Sequence, residues 1–234
     1  MNKVKIGVLT CIWKRHELFK VFAEHWKDLS TKFKNVEFVF IAVGSEGVES
    51  RSICDNTVFE YHHHENKPIS NKWNYGCQQL KHKNIDAALF LGSDDFICED
   101  TLLKLLQTIF NGYDFVGLQD CYLYNKPTKE LVYFQGYRNG RSGETIGIAR
   151  CLSVELLMAL NFSPWGSNLN SRLDASMQGK LKWINYSQES FKCKNFEGFA
   201  VDVKTDINIT PFSKDLPEAN KILLNKIPAL NGYL

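Results

Sequence analysis

Apolar residues in the first 120 positions follow two alternating rhythms. Val4–Thr10 is a short run of Val, Ile and Leu, the pattern of a buried strand, and Leu18, Phe19, Phe22, Ala23 and Trp26 then recur at helical spacing. Val36–Val43 reads as a second strand, ending in the turn-rich Gly44-Ser45-Glu46-Gly47, and Thr57–Tyr61 as a short third. Ser70 is placed to cap a helix running to about His82. A fourth strand over Ala87–Leu91, a helix over Leu102–Phe110 and a fifth strand at Phe115–Gly117 follow. This β-α-β-α order predicts an α/β fold, with a mostly parallel sheet carrying helices on both faces. Ligands of such sheets sit beyond the carboxyl ends of the strands, here the loops after residues 10, 43, 61 and 91.

The second half has a different rhythm. Tyr122–Tyr124 and Leu131–Phe134 flank Asn125-Lys126-Pro127-Thr128 as a hairpin, Ser153–Leu160 and Ser171–Lys180 have helical spacing, and Phe199–Val203 reads as a strand. The change near residue 120 predicts two subdomains of a single structural domain, 1–120 and a smaller one over 121–234.

Composition adds limits. With 234 residues, 44% apolar and 13% aromatic, the chain can bury a core of its own and is no disordered segment. Its apolar stretches fall far short of the ~20 residues of a membrane span, and Lys3, Lys5 and Arg15 break any leader-like pattern, which points to the cytoplasm. Seven cysteines, Cys11, Cys54, Cys77, Cys98, Cys121, Cys151 and Cys193, have neither disulfide-framework nor zinc-knuckle spacing and read as small buried hydrophobes. The three histidines of His62-His63-His64-Glu65 alternate faces in an extended segment and cannot easily share one metal ion. Net charge is +2, but residues 126–214 carry 12 Lys/Arg against 8 Asp/Glu, a surplus suited to an anionic partner or simply to a solvated surface.

The strongest chemical signal is Leu89-Phe90-Leu91-Gly92-Ser93-Asp94-Asp95, an apolar strand that ends in two adjacent carboxylates. Adjacent acids repel, and a hard divalent cation such as Mg²⁺ or Mn²⁺ relieves the repulsion. The alternative is that the pair caps the helix beginning near Asp100.

With Val4 to Arg15 and Asn66-Lys67-Pro68-Ile69-Ser70-Asn71-Lys72-Trp73-Asn74-Tyr75-Gly76, this motif resembles the nucleotide-sugar glycosyltransferases of GT-A fold, family 2 in particular. The resemblance covers about the first 120 residues and implies a Rossmann-like sheet with a smaller acceptor-side subdomain. It also implies transfer of one sugar from a nucleoside-diphosphate donor to an acceptor hydroxyl, with inversion and with Mn²⁺ or Mg²⁺ as cofactor. By the same resemblance Asp94 meets the donor ribose and Asp95 the metal, with Ser93 beside them. Gly92 stands where the family's first motif acid is usual, so weaker or water-rich metal coordination is expected.

Thr10 and Ile12 lie where backbone and hydroxyl groups meet the base and ribose, Glu46 where an acid approaches the base, and Arg15 and Lys72 where cations meet phosphate or an acidic neighbour. Gly147 to Ser153, Pro164-Trp165-Gly166 and Asn170-Ser171-Arg172-Leu173-Asp174 resemble the acceptor segment. Asp174 is the candidate general base or else a surface acid, Trp165 an apolar wall or else core, and Arg172 an acceptor-side cation. Lys204 is a candidate phosphate contact. The processive-synthase Gln/Arg-x-x-Arg-Trp pattern is missing. The combination is also similar to small phage-associated transferases, some of which glycosylate hydroxymethylated DNA bases, and Arg138, Arg141, Arg172, Lys180 and Lys182 would suit a phosphate backbone; a saccharide, lipid or protein acceptor is the alternative. Two other readings stay open: a nucleotidyltransferase, although residues 10–16 lack the glycines of a phosphate loop, and a non-catalytic nucleotide-binding module.

Overall fold

The computed structural model describes residues 3–208, 212 and 215–234. In chain order the elements are β1 (Val4–Ile12), α1 (His16–Thr31), β2 (Val36–Gly44), α2 (Val48–Cys54), β3 (Glu60–His63), α3 (Ile69–Leu80), β4 (Ala87–Phe90), β5 (Asp95–Ile97), α4 (Glu99–Phe110), β6 (Phe115–Leu118), β7 (Cys121–Asn125), β8 (Glu130–Phe134), β9 (Arg150–Ser153), α5 (Val154–Ala159), α6 (Leu173–Leu181), β10 (Gln188–Phe191) and β11 (Ala200–Lys204). Short 3₁₀ turns lie at Asn139–Arg141, Cys193–Asn195, Lys221–Lys226 and Pro228–Leu230.

Seven strands form one sheet in the order β10-β6-β9-β4-β1-β2-β3, parallel throughout except for β9, which runs against both its neighbours. A second sheet has the order β5-β11-β7-β8, with β7 and β8 paired antiparallel as the expected hairpin. Strands from both sides of residue 120 take part in each sheet.

Alternate residues of a strand face opposite sides, and β1 supplies both halves of the core. Ile6, Val8 and Ile12 join Phe19, Phe22 and Trp26 of α1 and Leu102 and Leu105 of α4 in one cluster. Leu9 joins Cys77 and Leu80 of α3, Leu156 and Leu157 of α5, and Met177 and Leu181 of α6 in the other. Helices thus cover both faces of the large sheet, and the resulting α/β architecture matches the expected class.

Several expected boundaries shift. The third strand begins at Glu60 rather than Thr57. Ser70 does not cap α3: Pro68 holds that position, and the buried Ser70 hydroxyl accepts instead from the Leu169 amide at 2.9 Å. Nor does the acid pair cap α4, whose N-cap is Cys98. The helix α2 and the strands β5, β9 and β10 are additions to the elements read from the sequence. All seven cysteines are free thiols, six of them buried and Cys11 partly so.

Candidate active site

The parallel strands β1, β2 and β4 end at Ile12, Gly44 and Phe90, which places their following loops along one edge of the sheet. The β1–α1 loop turns through Lys14 and Arg15, both with positive φ (57° and 36°). Such left-handed conformations cost about 1–3 kcal/mol each in a non-glycine residue and persist only where neighbours hold them. Here Glu46 of the adjacent loop accepts from the Lys14 amide (2.8 Å), His16 (2.8 Å) and Ser50 (3.3 Å), and Arg15 pairs with Asp94. Burial tends to raise the Glu46 carboxyl, but these three donors bring it below its ordinary value. Glu46 therefore braces the loop that presents Arg15.

Beyond β4 the chain turns tightly. The Gly92 amide donates to Asp95 Oδ2 (2.7 Å), and a Cβ on Gly92 would lie 2.6 Å from Asp94 Oδ1 and 2.8 Å from Asp95 Oδ2. Glycine leaves the room in which both carboxylates fold back. Asp94 accepts from Arg15 and from Asn208 Nδ2 (2.9 Å) at Oδ2, while its carbonyl accepts from the Val203 amide (2.8 Å).

Asp95 opens β5 and stands directly opposite Asp202 of β11 in the antiparallel register. Residues paired this way share a face of the sheet. A third carboxylate thus joins the acid pair. Lys204, two residues along the same strand, carries its ammonium 2.5 Å from Asp202 Oδ2.

Electrostatics in this cluster follow from burial and like charge. Desolvation, then Asp94 and Asp202, push the Asp95 carboxyl well above the usual carboxylate range, with only the Gly92 amide and Lys204 in opposition. Burial and Asp94 push Asp202 up to about 6 despite Lys204. Burial works against the charges of Arg15 and Lys204, yet the surrounding acids outweigh it and raise both above their ordinary values. Asp202 Oδ1, Arg15 Nε and the hydroxyls of Thr10, Ser45 and Ser93 are buried with no hydrogen-bond partner among the described residues. Among the same residues no three His, Cys, Asp or Glu side chains are drawn together as a ready ligand cage. Asp95 and Asp202, paired across the two strands with Asp202 Oδ1 unsatisfied, are the hard oxygen donors of this cluster, of the kind a divalent cation takes.

Asp174, in the first turn of α6, is gripped at both oxygens. Arg150 Nη1 reaches Oδ1 at 2.9 Å and the Tyr137 hydroxyl donates to Oδ2 at 2.5 Å. Arg150 is only 2% exposed, and its guanidinium also donates to the Thr145 carbonyl (2.7 Å) and hydroxyl (3.3 Å). It pairs across from Phe90, two residues before Gly92, so Asp174 is tied to the frame that carries the acid loop. Burial, then Asp174, push the Tyr137 hydroxyl far above its ordinary value, and the phenol stays protonated as the donor.

Other expected residues are placed differently. Lys72 is 1% exposed, and its ammonium donates to the Ile12 carbonyl (2.6 Å) and Asn66 Oδ1 (3.2 Å), which binds α3 to the end of β1. Ile12 keeps its side chain in the core, and Thr10 is fully buried. Trp165 is core rather than an open wall: its ring packs on Trp73 (5.4 Å) and Phe90 (5.3 Å), and its backbone exchanges hydrogen bonds with Asn74. Arg172 is exposed, in a left-handed conformation (φ 57°) at the N-cap of α6. Of the basic residues weighed for a phosphate backbone, Arg141 is paired with Glu144 (2.7 Å) and Lys180 donates to the Ser163 carbonyl (2.6 Å). In the triple-histidine segment His62 meets Glu60, His63 meets Tyr61 and His64 meets the Glu65 carbonyl, each ring on its own.

The sequence alone gives no site role to Asp202, Arg150 or Tyr137. Asp202-Val203-Lys204 has the i, i+2 spacing that puts an acid and a base on one strand face, a signal legible in principle. Arg150 could have been noticed as a lone cation entering the apolar run Cys151-Leu152.

No helix among the described residues is long and apolar enough to cross a membrane. No protein family matches the sequence, and no curated protein is similar to it. Solved structures are similar in shape alone. Mannosyltransferase PcManGT from Pyrobaculum calidifontis, solved with GDP-Man and Mn²⁺, superposes with a TM-score of 0.58 at 12% identity, over 86% of this chain and 57% of that one. S. aureus TarS 1–349 gives 0.53 at 13% identity, over 87% and 59%. The 4-diphosphocytidyl-2C-methyl-D-erythritol synthase of Anaerococcus prevotii gives 0.55 at 14% identity, over 99% of this chain and 96% of that one. The chain thus spans less than two thirds of the first two and nearly all of the third. Its fold is GT-A-like, the α/β architecture that these structures share.

Proposed function

We propose that the protein transfers a single sugar from a nucleoside-diphosphate sugar to an acceptor hydroxyl, with inversion and with a divalent cation as cofactor. The observation that carries this reading is the meeting of Asp94, Asp95 and Asp202 with Arg15 and Lys204 at the carboxyl edge of the sheet. Asp95 and Asp202 are the residues that would hold Mn²⁺ or Mg²⁺. When bound, that cation supplies charge stabilisation for the departing diphosphate.

Every other role belongs to the chain. Asp94, pinned by Arg15 and Asn208, orients the donor ribose. Arg15 and Lys204 offer fixed positive charge to phosphate oxygens, and Gly92 keeps the loop low enough for close approach. Asp174 accepts the proton of the acceptor hydroxyl as it attacks, on the side opposite the diphosphate.

Nucleotidyl transfer is the second reading, favoured by the near full-length superposition on the A. prevotii synthase. The absence of glycine from residues 10–16 weighs against it. Thermal shift and calorimetry with nucleoside diphosphates, their sugars and nucleoside triphosphates, each with and without Mn²⁺, separate the two. Glycosyl transfer requires a Mn²⁺-dependent response to a nucleoside diphosphate or its sugar, lost in Asp95→Ala. A response confined to triphosphates would favour the second reading instead, and no response to any nucleotide would overturn both.

A further inference from the structure

Residues 135–145 connect β8 to the buried Ile146, whose amide is fixed on the Leu118 carbonyl (2.8 Å). The segment contains Gly136, Gly140 and Gly143, and Gly136 (φ +100°) lies so close to the Gln119 carbonyl that a Cβ there would sit 2.2 Å from it. The chain is therefore clamped at both ends and permissive between them. Between these clamps, one side-chain hydrogen bond from residues 137–144 reaches the rest of the described chain, that of the Tyr137 hydroxyl to Asp174 Oδ2. The other bonds of the segment are internal: Arg141 with Glu144, and the turn bonds of Arg141 on Arg138, Ser142 on Asn139 and Glu144 on Arg141. Arg141 also lies over the Tyr137 ring, 3.6 Å from its centroid.

The chemistry at Asp174 is specific. Arg150 takes Oδ1, and a Cβ on Gly147 would lie 3.3 Å from that same oxygen. Oδ2 is met by a hydroxyl that donates a hydrogen bond. A base that is to take a proton from an acceptor hydroxyl needs just that contact beforehand, at the oxygen Arg150 leaves free. The Tyr137 phenol thus occupies the place of a substrate group.

We propose that the Tyr137 hydroxyl stands in for the acceptor hydroxyl at Asp174 Oδ2, and that residues 137–144 form a latch over the acceptor subsite. The acceptor enters by displacing that hydroxyl, while Arg150 keeps Oδ1 and so keeps Oδ2 aimed at the incomer. In the closed state the Tyr137 hydroxyl keeps Oδ2 from accepting from a water and so limits wasteful hydrolysis of the donor, although the Asp174 side chain is a quarter exposed. The inference rests on the glycosyl-transfer reading and on Asp174 as base.

The test uses water as the acceptor. Hydrolysis of nucleoside-diphosphate sugars with Mn²⁺ is measured for the intact chain, Tyr137→Phe, Asp174→Asn and the double variant, alongside donor affinity by calorimetry. Tyr137→Phe keeps the ring under Arg141 but frees Oδ2. It is expected to raise hydrolysis several-fold with donor affinity unchanged, and Asp174→Asn in that background is expected to abolish the gain. A gain that persists in the double variant would overturn the stand-in role, as would hydrolysis that is unchanged or lower in Tyr137→Phe while the donor still binds. Failure of the intact chain to bind any nucleotide sugar would remove the glycosyl-transfer reading, and the latch with it.

Discussion

At the scale of single residues the acid loop turns on the space that Gly92 leaves. The resemblance to family 2 glycosyltransferases places an acid at that position, yet any side chain there meets the carboxylates of both Asp94 and Asp95. Those atoms are the ends of side chains, so they would swing aside rather than unfold the loop. Gly92→Ala is therefore expected to lower the melting temperature only slightly while abolishing the Mn²⁺-dependent shift with a nucleoside diphosphate. An unaltered Mn²⁺ response would show that the carboxylates do not need their present positions. Trp165 makes the opposite case. It is 4% exposed against Trp73 and Phe90, so Trp165→Ala should cost about 3–5 kcal/mol in chemical denaturation. A loss below ~1 kcal/mol would restore Trp165 as a wall of the acceptor site. Asp174→Asn retains shape and removes the proposed base, and its expected signature is a turnover lower by about 10²–10⁴ with donor affinity intact.

At the scale of elements, the strands most plainly legible in the sequence are the central ones of the large sheet, while the edge strand β3 and the hairpin β7–β8 are read from the turn residues beside them. β1, β2, β4 and β6 read as continuous apolar runs because helices cover each side, and that same burial makes them central. β10 was hidden because it is an edge strand, Gln188-Glu189-Ser190-Phe191, with little apolar signal. β9 was hidden by Arg150, whose charge is acceptable in a buried strand only because Asp174, 24 positions later, compensates it. The acid pair was legible as chemistry, but that Asp202 stands opposite Asp95 follows from strand pairing, a non-local fact that spacing along the chain does not carry.

Between α1 and β5 lies a further consequence of pairing. His25 is buried against Phe96 and bonded to the Ile97 carbonyl at 2.8 Å. Burial holds its pKa below the ordinary value, with the carbonyl bond opposing. Between the ordinary value near ~6.5 and the lower folded one, the unfolded chain binds more protons, so stability falls as pH falls. His25→Gln keeps a donor for Ile97 and removes the titration. Between pH 7.5 and 5.5 the intact chain is expected to lose more melting temperature than this variant, since the carboxylates titrate alike in both. Equal losses would place the acid sensitivity elsewhere.

At the scale of the whole molecule, the C-terminal segment completes the core that positions the site. The 3₁₀ turns Lys221–Lys226 and Pro228–Leu230 send Leu224, Ile227 and Leu230 into the cluster that also contains α1, and the second turn packs on α1 itself. Ile227 and Leu230 are fully buried, Lys226 donates to the Glu197 carbonyl (2.6 Å), and the Lys126 ammonium lies 3.2 Å from the Tyr233 ring centroid. Three buried aliphatic side chains at about 1.5–3 kcal/mol each amount to a large part of the ~5–15 kcal/mol by which a domain is stable. α1 begins at the loop that holds Arg15 against Asp94, so loosening its packing undermines the site as well as the core. Ile227→Ala and Leu230→Ala are each expected to cost about 2–5 kcal/mol in denaturant unfolding. Deletion of residues 221–234 is expected to abolish the cooperative transition and the near-ultraviolet circular dichroism of the packed aromatic core. A truncated chain that melts cooperatively at the original temperature would show that the remaining elements are a sufficient core, with the segment as a surface strap.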